Sequence, residues 1–488
     1  MKQRIEFFGG YKMALIPMIV FAIFCVLFFV VFKVFEMEAL ALGGVIGLVL
    51  GAFLSKDWKK YWEAVVEGVA MPMNGVLIMI LFVVGIFSAL MAKGGVAQGF
   101  VWLGSAVGLH GGMFTAFTFL ATCIMATATG TSIGTLFSAF PILYPSGILL
   151  GANPVMLAGA ILSGAIFGDN LAPISDTTIA SASTQSYTNK EGSADIGGVV
   201  ATRFKFSIIA AAIAFVLYLV LGGGGTVGQG GAEILAKYTN PKGLIMLIPV
   251  VVLLTIAIKT REIFTAIVWG TITGTIVALV FGIITPKDIF FIENGTLTGF
   301  LYGGIKNMVG IVMFCITLFG IIGVLNASGT MDNIIQAIVN SNLAKTPRGT
   351  EIAIALGIMS SCLFLGAASG PAIIMFGPIA NEIGKSQKLH PYRRANLIDG
   401  FANTLPTVIP VISAFVFIVL IVVQGLQAEY SFIQAINPIS LAAASFHPLA
   451  LFAVLSYSVF TGWGRDYEGP KGEPVKSLPA KNVKEAAM

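Results

Sequence analysis

Asp169 and Asp176 lie seven residues apart in the stretch ILSGAIFGDNLAPISDTTIASAS (residues 161–183), which is otherwise apolar or hydroxylic. Putting one carboxylate at membrane depth costs at least about 2.5–3.5 kcal/mol on insertion scales, so each needs a partner or a water path. In an unbroken helix residues seven apart share a face. Gly168 and Pro173 are placed to break the helix and let the two acids converge. In the Gly/Pro-interrupted runs at 127–134 and 366–371, exposed backbone carbonyls with Thr and Ser hydroxyls form a hard-oxygen set suited to a small cation such as Na+. Ser175 and Asp176 are also strong helix N-caps, and capping is compatible with ion binding.

A second hydroxyl-rich interruption precedes this one. Thr127, Thr129, Gly130, Thr131, Ser132 and Gly134 cut an apolar run that ends near Pro141 and Pro145. Backbone groups freed by such a break survive in lipid only where protein or a watery cavity satisfies them. Small-residue packing, with each hydroxyl bonded back to its own helix, is the alternative for any single Thr.

Both interruptions have counterparts later in the chain, at an offset of about 234–240 residues. GIFSALMAKGG (85–95) matches GIIGVLNASGT (320–330). TCIMATATGTS (122–132) resembles SCLFLGAASGP (361–371), which carries Ser369. FGDNLAP (167–173) matches FANTLPT (401–407), which carries Asn403 and Thr404, with Asp399 just before it. Cations divide unequally between the halves. The first repeat is entered through Lys56, Lys59 and Lys60, the second through the balanced Lys287-Asp288. The loop at 141–154 has no charge, whereas 378–394 carries Lys385, Lys388, Arg393 and Arg394. The positive-inside rule then orients the two repeats oppositely. Inverted repeats with paired broken helices are the architecture of secondary transporters, whose substrate sites lie near the midplane.

Composition sets the frame for these elements. The chain has 488 residues, 57% hydrophobic and only 10% charged, and a mean hydropathy of +0.92. So few charges cannot cover a soluble surface; the expected fold class is an all-α polytopic membrane protein with about eleven to thirteen crossing helices and two inverted repeats. A net charge of +5 scattered over loops and tail provides no nucleic-acid face. No phosphate-cradling G-x-x-x-x-G-K-[ST] run occurs, which argues against an ATP-driven pump. No nucleophile–base pair or His-rich metal set points to an enzyme. The four cysteines read as small core residues, and His110, His390 and His447 as structural histidines. The glycines Gly43, Gly47 and Gly51 suit close helix packing. Lys306, inside the apolar run 296–326, is either a counter-charge to a carboxylate or a snorkelling surface residue.

The layout that follows has two leading helices at 1–55, the first of them (about 13–32) retained as a membrane helix. The first repeat occupies 56–185, connecting helices 186–286, the second repeat 287–425, a last helix 426–462 and a flexible tail 463–488. Lys2, Arg4 and Lys12 put the N-terminus in the cytoplasm, and Lys471, Lys476, Lys481 and Lys484 put the tail there too. Lys33, Glu36 and Glu38 mark an outside loop; Arg203 with Lys205, and Lys259 with Arg261, mark cytoplasmic ones.

GTSIGTLFSAFPILYPSGILLGANP (130–154) followed by GAIFGDNLAPISDTTIASAS (164–183) resembles the NhaC-type Na+/H+ antiporters of the ion transporter superfamily. The resemblance implies broken helices in inverted repeats, a homodimer, sodium coupling and elevator-like movement; the retained first helix and the inside-positive loop pattern suit a bacterial inner membrane. It implies Asp169, Asn170, Ser175, Asp176, Thr177 and Thr178 as site residues, with Thr129, Thr131 and Ser132 opposite and Na+ at Asp169 and Asp176. No cofactor is implied beyond Na+ and H+ as moving ions. The chain departs from the pattern in the second repeat, where FANTLPTVIPV lacks both acids of the motif and Asp399 lies four residues before Asn403. The expected activity is exchange of Na+ for H+ through competition at the carboxylates; the alternative is Na+- or H+-coupled transport of a small organic anion or amino acid.

Overall fold

A computed structural model describes residues 4–32, 34, 37–225, 240–260, 262–293, 295–330, 333, 345–410 and 412–477. Lys2, Lys33, Glu36, Arg261, Lys481 and Lys484 lie outside the described residues, so the topology read from them has no structural counterpart here. The protein is an all-α polytopic membrane protein with two small antiparallel hairpins, Phe291–Glu293 with Thr296–Thr298 and Tyr467–Glu468 with Pro474–Val475. Among the described residues, five helical stretches are long and apolar enough to span a bilayer on their own. Two bent pairs qualify if each counts as one span, and five shorter apolar helices accompany them. The last helix expected at 426–462 is one of the bent pairs: Pro438–Ala444 and Phe446–Thr461 meet at 54°.

Glycines set how closely the helices approach. A Cβ on Gly47 would lie 2.6 Å from the carbonyl oxygen of Pro17, so the spacing of Gly43, Gly47 and Gly51 serves to seat Ile16–Val26 against Met37–Leu54. The same device recurs where it matters for the site. Gly164 and Gly168 press the helix Pro154–Leu171 onto Gly111–Thr129: a Cβ on Gly168 would lie 2.5 Å from the backbone nitrogen of Thr127. All four cysteines are buried and free.

The breaks in the helices fall where the glycines, prolines and hydroxyls predict them. Gly111–Thr129 stops at Gly130 (φ +70°), and Thr131 caps the next helix, Ser132–Leu149, by accepting from the Gly134 amide. Pro154–Leu171 stops before Pro173, and Ser175 caps Asp176–Ser183. In the second half, Pro347–Phe364 gives way to Ser369–Ser386 through Gly366 and Ala367, both at φ +65°. A positive φ at an alanine costs of order 1–3 kcal/mol, so this turn is held by its surroundings. Pro391–Ala402 ends at Asn403 and passes into the short 3-10 turn Leu405–Thr407.

The expectation of a flexible tail is corrected for residues 463–477; 478–488 lie outside the described residues. The segment folds back as a strap. Glu468 accepts the Thr188 and Asn189 amides at 2.7 Å each, its own amide donates to the Lys388 carbonyl, and Arg465 pairs with buried Glu351 at 2.7 Å. Arg393 and Arg394, read as loop charges, are buried as well: Arg393 pairs with Glu351 at 2.8 Å and Arg394 donates to the Ser186 carbonyl. His390 ties the strap to the bundle. Its Nδ1 accepts from the Tyr392 amide, which leaves Nε2 to carry the proton donated to the Gly472 carbonyl. That is the neutral ring, and a second proton would sit against the Tyr392 N–H.

Burial holds His390 below the ordinary histidine value of 6.5, with Asp466 and Glu468 opposing the shift and Arg394 adding to it. The folded protein therefore binds fewer protons than the unfolded chain as pH falls through the histidine range. Its stabilising contribution is complete above that range and is lost toward the depressed value. Thermal unfolding of the purified protein is expected to come earlier as pH drops through this window, and His390→Gln is expected to flatten that dependence. An unchanged pH profile in His390→Gln would remove His390 as its source.

Candidate functional site

The first-half break at Gly130 and the second-half break at 366–371 face each other across a cavity of about 160 Å³. Gly130, Thr131, Ser132 and Ile133 line it from the first half, and Ala367, Ala368, Ser369, Gly370 and Pro371 from the second. Asp169, Ser175, Asp176 and Thr177 form a further wall. Ser132 and Ser369 are each the first residue of a half-helix, so both helix N-termini open on the same space.

Asp169 is 6% exposed and held from two sides. Ser132 Oγ donates to Oδ2 at 2.7 Å, and Ser175 Oγ donates to Oδ1 at 2.6 Å. Each bond crosses a chain break, so the carboxylate is fixed by the two half-helix starts that the breaks create. Ser175 also lies 3.0 Å from Thr177 Oγ1. Asp176, the first residue of its half-helix, is exposed, and the cavity is the space it borders. Among the described residues, no Lys, Arg or His lines this cavity. Hydroxyl donors ease the burial of a carboxylate without cancelling its charge.

Asn170, one residue on, belongs to a different cluster. Its side-chain oxygen accepts from Ser207 at 2.9 Å, and its Nδ2 faces Asp399 at 3.4 Å. Asp399 is fully buried and paired with Arg203. Asn403 Nδ2 donates to Asp399 Oδ1 at 2.7 Å, and Thr178 Oγ1 lies 3.3 Å from Oδ2. The sequence-derived residues thus divide. Thr131, Ser132, Asp169, Ser175, Asp176, Thr177 and Ser369 meet at the cavity; Asn170, Thr178, Asp399 and Asn403 meet at the ion pair.

Three candidates reach neither. Thr129 bonds back to the Met125 carbonyl of its own helix at 2.9 Å, as a packing hydroxyl does. Thr404 bonds to the Phe401 carbonyl at 2.7 Å. Lys306 is exposed in the last turn of Phe300–Lys306, so the structure sides with the surface alternative over the counter-charge.

Arg203 is the residue that the sequence reading misplaced. It is not a loop charge but part of the helix Ile196–Leu221, and it is 2% exposed. Its fork also donates from Nε to Asn396 at 3.0 Å. The signal was in the helical period. Val199, Arg203, Ser207, Ala210, Ala211 and Ala214 make one buried stripe, whereas Lys205 falls off it.

The sequence profile of the Na+/H+ antiporter family matches residues 7–223 and 230–402. A malate-2H+/Na+-lactate antiporter of Bacillus subtilis (strain 168) is 31% identical over 314 residues, covering 61% of this chain and 65% of that protein. The Na+/H+ antiporter NhaC of Alkalihalophilus pseudofirmus is 30% identical over 133 residues, 27% of this chain and 28% of its own length. The arginine/ornithine antiporter ArcD of Halobacterium salinarum is 25% identical over 332 residues, 63% of this chain and 65% of that protein. The chain therefore spans less than two thirds of the length of each of these three relatives.

Beside Asp169, Gly168 lets the backbones of Pro154–Leu171 and Gly111–Thr129 touch. A branched side chain there has no free space, and overpacking of this kind costs about 1–3 kcal/mol. Gly168→Val is expected to lower thermal stability by that order and to loosen Asp169 from Ser132. Wild-type stability in Gly168→Val, read by thermal unfolding in detergent, would mean the helices do not meet as described.

Proposed function

The chain belongs to the Na+/H+ antiporter family, and from that premise we propose that it exchanges Na+ for H+ at Asp169. One observation carries the reading: among the described residues, the cavity where both breaks meet is bordered by two carboxylates, Asp169 and Asp176, and by no basic side chain. Such a wall favours a cation as its occupant. The residues present fit a small one: two carboxylates, the hydroxyls of Ser132, Ser175, Thr177 and Ser369, and the carbonyls released near Gly130 and Ala367 are oxygen donors throughout.

Exchange follows from competition. A low-dielectric site disfavours a bare carboxylate, and either a proton or a cation relieves it. Both cannot serve the same oxygens at once, so the occupied form carries one or the other. When the site is alternately open to the two sides, that exclusion becomes coupled exchange without ATP. Asp169 is the exchanging group, Ser132 and Ser175 orient it, and Asp176 adds negative charge at the rim. Movement of one helical body against another, a homodimeric assembly, a bacterial inner membrane and cytoplasmic termini complete the proposal; they rest on the family resemblance and the charge pattern.

A second reading has its own supporting observation. The helix Ser369–Ser386 begins at Ala368 with no side-chain cap, so its first amides border the cavity unclaimed by a capping side chain. Backbone N–H groups at a helix start are suited to an organic carboxylate. A hydroxy acid or amino acid bound there beside a cation fits this feature and the names of two relatives.

The test is proton movement in proteoliposomes that hold a pH dye, with voltage clamped and no organic solute. Added Na+ or Li+ is expected to drive protons across while K+ and choline do not. Asp169→Asn is expected to abolish the signal, and Asp176→Asn to weaken or abolish it. A flat trace from folded wild-type protein overturns simple Na+/H+ exchange and moves the assignment to solute-coupled transport.

A further inference from the structure

Asp169 and Asp399 belong to corresponding parts of the two halves and have opposite surroundings. Among the described residues, Asp169 has hydroxyl donors and no basic residue at its cavity. Asp399 has a guanidinium. The Nη1 atom of Arg203 contacts three oxygens of three kinds: a carboxylate oxygen of Asp399, the backbone carbonyl of Asn170 and the hydroxyl of Thr178, the last at 3.1 Å. Ser181 Oγ closes the group, 3.4 Å from Nη2 and 3.5 Å from Asp399 Oδ2. Carboxylate, carbonyl and hydroxyl converging on one point are the donor set of a hard cation. The carbonyl comes from the last turn of a helix cut short at Leu171, where carbonyls lack their helical partners. This is the same break that exposes Asp169 on its other side.

We propose that Arg203 is a tethered cation: its guanidinium fills, at Asp399, an ion cage equivalent to the one that stays open at Asp169. The chain would then hold one exchangeable cation, with the second site plugged by its own side chain. Arg203 comes from the connecting helix Ile196–Leu221, outside both repeats, and this explains how the second repeat dispenses with the acids of the first-repeat motif without leaving Asp399 uncompensated. It makes Arg203 a residue that fixes ion number, distinct from the exchanging group. The equivalence to Asp169 rests on the function proposed above; the cage itself does not.

Removing Arg203 should uncover a site for a free cation. In full-length detergent-purified Arg203→Ala, buried Asp399 loses its partner and the protein is expected to unfold at lower temperature than wild type. Na+, Li+ or millimolar guanidinium is expected to restore several degrees beyond any effect on wild type; choline at equal ionic strength is not. Arg203→Ala/Asp399→Asn, which removes both charges, is expected to regain stability and to lose the cation-specific gain. Equilibrium binding of radioactive Na+ is expected to rise from one to two ions per chain in Arg203→Ala. If Arg203→Ala gains neither stability nor bound Na+, or stays unfolded in every cation while the double variant folds, Arg203 is a structural partner only and the proposal fails. Asp169→Asn in both backgrounds separates the two readings. It should take bound Na+ from one to none in the wild-type background and from two to one beside Arg203→Ala. No Na+ on wild type but one on Arg203→Ala would overturn the exchange reading at Asp169 and leave the cage standing.

Discussion

A carboxylate enclosed by apolar helices must be neutralised by something, and the interior of this protein is arranged around three answers to that requirement. Glu351 is met by Arg393 and Arg465. Asp399 is met by Arg203. Among the described residues, Asp169 is met by Ser132 and Ser175, which donate hydrogen bonds and bring no charge. The difference is one of kind. Permanent ion pairs bind segments distant in sequence, and removing one partner of such a pair typically costs 3–5 kcal/mol. Hydroxyl donors hold a carboxylate in place and leave its charge to a mobile partner. Within one bundle the first arrangement builds structure and the second leaves room for exchange.

The helix breaks and the glycine contacts make the second arrangement possible. A continuous helix through Asp169 and Asp176 would have offered side chains alone; ending it at Leu171 releases carbonyls and starts a second half-helix with the Ser175 cap beside Asp169. The break at Gly130 does the same for Ser132. Ser132 reaches the carboxylate from the helix that follows Gly111–Thr129, so its bond depends on how closely these helices approach. Gly164 and Gly168 remove the side chains that would hold Pro154–Leu171 away from Gly111–Thr129. Sequence small at those positions thus becomes a hydrogen bond of 2.7 Å two helices away.

Much of this was legible before any coordinates. The all-α membrane class followed from the 10% charge content, and the breaks followed from Gly130-Thr131-Ser132, Gly168, Pro173 and Gly366 through Pro371, because those residues disrupt the helical ladder by known means. Asp169 and Ser369 were legible as residues beside breaks. Arg203 was not, because cations near the start of an apolar run were read by topology rules, which count charge and ignore which face it occupies. Arg393 and Arg394 misled in the same way; their partners, Glu351 and Ser186, lie far off in sequence. The strap at 463–477 was read as flexible from its Gly, Pro and Lys content. Its order comes from Glu468 and Asp466, whose partners are amides and a lysine no composition argument could assign. Thr129 and Thr404 show the opposite error: hydroxyls at the right places whose own helices had already claimed them.

Consecutive residues join the open and the closed arrangement. Asp169 turns to the cavity, while the Asn170 backbone carbonyl accepts from Arg203, its side-chain Nδ2 donates to Asp399 and its side-chain oxygen accepts from Ser207. The ion pair therefore does more than neutralise Asp399: it anchors the broken end of the helix that carries Asp169. A cation site at a helix break needs its oxygens held in place before the ion arrives, since an ion that had to organise loose backbone would lose affinity to the entropy of ordering it. A second mobile ion at Asp399 could hold the break only while bound. Under the proposed exchange, a guanidinium tethered to Ile196–Leu221 would hold it in every stage of a cycle, with or without an ion at Asp169. On that proposal the fixed charge would let the neighbouring carboxylate be emptied and refilled without the local fold following its occupant.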